Sequence, residues 1–179
     1  MRSKLDAILQ ELWRNSRFTS YFYQSVEFIS DTSIPTLTLR AADNRLFLIY
    51  HPDFLADTPE QEMIGLLVHE MMHVILNHDH RSCHNNDICL QNLAQDMVVN
   101  SYLTDNTSTF FSRKREGRRD APFLTLPPGL PHIPEDFYRE TADTQRDNVS
   151  WEKVYKWLAR RQTATAEKTD ALPSVDNPG

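Results

Sequence analysis

The sequence predicts an α+β domain, and three stretches of it carry that prediction. Residues 34–50 have β texture around a short polar turn. Residues from about 59 to about 78 form a run apolar on nearly every side, as a buried helix would be. A further helical pattern follows from about 87 to about 104. The expected architecture is a small antiparallel or mixed sheet packed on the buried helix, with the later helix beside it.

From the start of the chain, Leu5, Ile8, Leu9 and Leu12 recur at helical spacing, and the pattern extends toward Phe18–Phe28. IPTLTLR and RLFLIYH then flank Ala41-Ala42-Asp43-Asn44, a polar turn of hairpin length. Thr58-Pro59-Glu60-Gln61 has a cap-type Thr, Pro at the first helical position and Gln three residues after the Thr. That is the form of a capping box opening a helix. Beyond it, Ile64, Leu66, Leu67, Val68, Met71, Met72, Val74, Ile75 and Leu76 leave almost no polar face, so the helix is central and buried. Ile88, Leu93, Met97 and Tyr102 are packing residues of the next helix. Residues 105–122 are polar, with a basic run at 113–119 that reads as a solvated loop or else a site for phosphate or an acidic substrate segment, and the Pro-rich 122–134 reads as an ordered loop or extended coil. Ser150 caps a last helix whose face is Trp151, Val154, Tyr155 and Leu158. The expected organisation is one domain over 1–161 and a linker or disordered tail over 162–179.

At 179 residues the chain can bury roughly 68–70% of its unfolded surface, enough for an internal site. The net charge of −6 gives no global reason to expect nucleic acid as a partner. No apolar run approaches the roughly 20 residues of a membrane span, and charges interrupt the N-terminal stretch where a secretory signal would be apolar. Two cysteines, Cys83 and Cys89, do not make a disulfide scaffold. Reduced thiols and a cytoplasmic setting are expected.

The chemistry lies in His69-Glu70-Met71-Met72-His73, an H-E-x-x-H motif inside the buried helix. Positions i and i+4 share a helical face, so the two imidazoles can reach one Zn²⁺. Glu70, about 100° round the helix, can address a metal-bound water as general base. The motif also arises by chance, usually on a solvated helix. Here the surroundings are apolar, and two His and a Glu would cost several kcal/mol unless something satisfied them. A metal is the natural solution. The expected activity is that of a zinc-dependent metallopeptidase of zincin type acting on a protein or peptide.

Catalytic zinc needs a third protein ligand and an open position. Asn92, Asp96 and Asn100 form an i, i+4, i+8 stripe, from which Asp96 could ligate with the asparagines behind the ligands. Asp79 stands where metzincins place a third ligand, but Leu76 replaces the glycine that turns the chain there. His78, His80 and His84 are further candidates, or solvated residues at a helix C-terminus. His132 and Tyr138 lie in the region expected to supply an oxyanion-stabilising group. Arg45–Tyr50 is the strand expected to receive an extended substrate at an exposed edge.

The hairpin running into Tyr50-His51-Pro52-Asp53-Phe54, then HEMMHVILNHDHR, QNLAQDMVVN, LPPGLP and SWEKVYKWL together resemble a bacterial and phage family of metallopeptidase domains. Its members often sit next to a von Willebrand factor A-like module. The resemblance implies a zincin-like fold, zinc, the ligands His69, His73 and Asp96, a catalytic Glu70, and such a module as a partner. Gln91 stands where the family tends to have an aromatic. Two other classes compete. One is a zinc nuclease with H-x3-H-x5-H, against which Asp79 occupies the last His position. The other is a non-catalytic zinc-stabilised binding module, for which Glu70 would have no use.

Overall fold

The computed structural model describes residues 3–78, 81, 87–111, 124–142 and 146–170. It is α+β, with a three-stranded mixed sheet and helices α1 to α7. Helix α1 (Lys4–Asn15) opens with the capping box of Ser3 and Asp6, and buries Ile8 and Leu12 completely. Ser16 both ends α1 and caps α2 (Arg17–Gln24) by accepting from the Thr19 N–H. The helical pattern expected through Phe28 stops there, because Val26–Ser30 is strand β1.

Strands β2 (Leu37–Ala42) and β3 (Arg45–Tyr50) form the expected hairpin. Asp43 and Asn44 both take positive φ, 48° and 58°, the backbone of a two-residue type I′ turn. The strand order is β1-β3-β2, with β3 parallel to β1 and antiparallel to β2. This corrects one expectation. Arg45–Tyr50 is the central strand, hydrogen-bonded on both sides, and cannot accept a further strand. Leu39 and Leu48, paired across β2 and β3, are both buried.

His51 caps the short helix α3 (Pro52–Asp57) through its ring Nδ1. The capping box expected at Thr58 does not form. Its hydroxyl donates to the Phe54 carbonyl and so closes α3, while α4 (Glu60–Ile75) starts after Pro59 with no side-chain cap. Glu60 and Glu62 in the first turn of α4 suit its dipole. Helix α4 buries Met63, Ile64, Leu67, Val68 and Met71 in one core with Ile8, Leu12, Tyr23, Val26, Leu39 and Leu48. Gly65 is the point of closest approach. A Cβ there would stand 2.1 Å from the Thr125 carbonyl oxygen, because residues 124–126 cross α4 at that turn. The Thr125 N–H donates to the Gln61 carbonyl at 3.2 Å.

Helix α5 (Ile88–Phe111) is longer than the expected 87–104. The chain divides into two compact units, Met1–Arg81 with Val99–Leu130, and Ser82–Val98 with Pro131–Gly179. The second unit has its own core of Ala94, Met97, Ile133, Phe137, Val149, Val154 and Trp157. Helix α6 (Glu135–Thr141) contributes Phe137 to it. Helix α7 (Trp151–Asp170) supplies Val154 and Trp157 to it and also buries the expected Trp151. No helix among the described residues is long and apolar enough to cross a membrane.

Candidate metal centre

Two helices build the site. On α4, His69 is buried and His73 half-buried one turn later. Their ring nitrogens Nε2 approach to 3.0 Å, with ring centroids 4.6 Å apart. Two Nε2 ligands of one tetrahedral ion would stand about 3.3 Å apart, from a metal–nitrogen distance of about 2.0–2.1 Å. The pair therefore already converges as a shared cation requires.

The other nitrogen of His69 is held from α5. Its Nδ1 lies 2.9 Å from Asn100 Oδ1, and Asn100 is fully buried. An amide oxygen accepts, so His69 Nδ1 carries the proton and Nε2 presents its lone pair. One turn earlier on the same helix is Asp96, half-buried. One ligand atom each from His69, His73 and Asp96 all lie within 4.8 Å of one another. The polar stripe is thus graded along α5: Asn92 is exposed, Asp96 half-buried and Asn100 buried. This donor set, two imidazoles and a carboxylate, could hold a metal ion.

Glu70 sits half-buried beside the pair. Its Oε2 accepts from the Leu39 N–H of β2 at 2.9 Å, which fixes the carboxylate against the sheet. Below it, the buried Tyr23 hydroxyl donates to the Leu67 carbonyl. Burial, and then the charge of Glu70, push the Tyr23 phenol well above its ordinary value.

His78 is almost wholly buried but lies on the other side of His73, with its Nδ1 2.9 Å from His73 Nδ1. It is therefore placed behind the ligand pair rather than within it. From the sequence it was a rival ligand or a solvated residue at the helix end, and it is neither exposed nor within the pair. The signal for its actual place was Asn77, a residue type that tolerates the left-handed backbone ending a helix. Among the other candidates, Cys89 is an exposed free thiol on α5. His132 is exposed, and the half-buried Tyr138 ring is covered by the Arg146 guanidinium at 4.8 Å. Asp79, His80, Cys83, His84 and the basic run 113–119 lie outside the described residues.

No curated protein and no solved structure matches the chain. A family profile does, and it spans residues 3–177, nearly the whole length. The chain belongs to the family described as "Putative metallopeptidase domain".

Proposed function

We propose that this chain is a zinc metallopeptidase of zincin type in which His69, His73 and Asp96 hold the metal and Glu70 is the general base. The convergence of the two Nε2 atoms at 3.0 Å, with Asp96 in reach, is the observation that carries the reading. Nitrogen and oxygen donors from three side chains, leaving a position open, suit catalytic zinc. A bound zinc supplies an acidified water and polarises the scissile carbonyl. Glu70 would take the proton of that water as its oxygen adds to the carbonyl carbon, and would give it to the amine nitrogen as the C–N bond breaks. The bond from Leu39 keeps its carboxylate in one orientation while it does so.

The sheet supports a peptide as the substrate class. His51 N–H donates to the Thr36 carbonyl at 2.7 Å, so the pair Thr36 and His51 is the hydrogen-bonded kind. Alternation then turns the N–H and C=O groups of Leu37, Leu39 and Ala41 away from β3, and the Leu39 bond to Glu70 agrees. An extended peptide added along β2 would meet the outward groups of Leu37 and Ala41 and lie beside Glu70, which already holds the Leu39 N–H. Strand β2 thus takes the role that the sequence suggested for β3.

Glu70→Gln with zinc retained tests the assignment. Cleavage of a peptide library, read by mass spectrometry, is expected to fall by about 10²–10⁴-fold. Unchanged cleavage would remove Glu70 from the chemistry, and a zinc-loaded wild type that cuts no peptide would favour the binding-module alternative.

A further inference from the structure

The end of α4 is itself built into the site. Helix α4 finishes at Ile75, Leu76 caps it, and Asn77 adopts φ 55°. The Asn77 N–H donates to the Val74 carbonyl and the His78 N–H to the His73 carbonyl, both at 3.0 Å. These are the two bonds of a Schellman closure, which folds the residue after the left-handed position back over the third residue from the helix end. In this chain those two residues are His78 and His73. The contact they make in such closures is usually apolar. Here two imidazoles meet edge to face, at 82° with centroids 4.8 Å apart, and Nδ1 stands 2.9 Å from Nδ1.

An imidazole that binds metal through Nε2 keeps its proton on Nδ1, and that N–H needs an acceptor. His78 Nδ1 is one whenever His78 carries its own proton on Nε2. The two Nδ1 atoms lie on the side of His73 opposite the nitrogen that converges with His69. We infer that His78 is a positioning residue that orients His73 and selects its metal-binding tautomer, and that the left-handed turn at Asn77 exists to deliver it. His69 has its outer partner from α5, in Asn100. His73 has its partner from the terminus of its own helix.

The inference rests on the proposed metal site, and the test separates the two. Zinc Kd is measured on the whole chain by competition with a chromophoric chelator, for wild type, H78F, H78Q and N77G. H78F keeps a ring for the closure but offers no acceptor, and should bind zinc about 10–100-fold more weakly. Its metal-free unfolding temperature should change little. H78Q, which restores an acceptor, should recover part of the loss, and N77G, which keeps the left-handed turn, should match wild type. A ¹⁵N–¹⁵N coupling across the hydrogen bond between His73 and His78 in the zinc-loaded wild type reads the same contact without any variant. Wild-type affinity in H78F, or absence of that coupling, overturns the role of His78. Equal losses in H78F and H78Q that track metal-free stability reduce it to packing, which also overturns it. A wild type that binds no zinc overturns the metal reading and this inference with it.

Discussion

Gly65→Ala sets two physical effects against each other, and they differ in sign. Glycine inside a helix costs about 1 kcal/mol relative to alanine, so propensity alone makes the variant more stable. The structure says the opposite. A Cβ at residue 65 would lie 2.1 Å from the Thr125 carbonyl oxygen and 2.9 Å from its carbon, which are backbone atoms rather than the tip of a side chain. Restoring ordinary contact requires residues 124–126 to retreat by more than 1 Å. The buried Leu124 and the bond from Thr125 to Gln61 resist that movement. Overpacking of this kind costs about 1–3 kcal/mol, and the threatened hydrogen bond about 1 more. After the propensity gain, the net loss is about 2 kcal/mol, or roughly 4–8 °C in Tm for a chain of this size. Urea and thermal unfolding of the metal-free chain measure it directly. A G65A midpoint at or above wild type would mean that segment 124–126 does not lie against α4.

Replacing Asp96 by Ala should weaken zinc binding by more than the roughly 10–100-fold typical of an outer partner. Wild-type affinity in the same chelator competition would take Asp96 out of the ligand set. Tyr23→Phe removes a buried hydroxyl from the Leu67 carbonyl and should cost about 1 kcal/mol at neutral pH. Because the folded state holds this phenol's proton to higher pH than the unfolded chain does, its contribution is complete below about pH 10 and is lost as pH rises further. Wild type should therefore lose stability above pH 10 more steeply than Y23F. Parallel curves would contradict the buried placement of the hydroxyl.

What could be read from the sequence was whatever depends on local periodicity. The i, i+4 pair His69 and His73 and the stripe through Asp96 and Asn100 are helix-surface arithmetic, and the structure brings the three candidate ligands within 4.8 Å. The hairpin was legible because Asp43 and Asn44 are turn residues between alternating strands. Strand β1 was not, since its partner in the sheet is β3, reached only after the hairpin has intervened. The capping box at Thr58 failed because a neighbouring helix end claimed the same hydroxyl. Gly65 and His78 were obscure for a related reason. Each acts through a contact set by tertiary crossing or by the geometry of a helix end, and neither leaves a period in the sequence.

The order β1-β3-β2 also has a kinetic consequence. As the chain leaves the ribosome, β1 appears first but has no strand to join. Strand β2 follows, and the sheet does not pair the two. Only when residue 50 has emerged can the hairpin close, an event of about 1–10 μs, and present β3 to the waiting strand. Until then β1 is an open edge of the kind that recruits foreign strands. Synthesis at about 5–20 residues per second therefore leaves the nascent N-terminal segment unprotected for about 1–4 s, and the turn at Asp43 and Asn44 lets closure add almost nothing to that time.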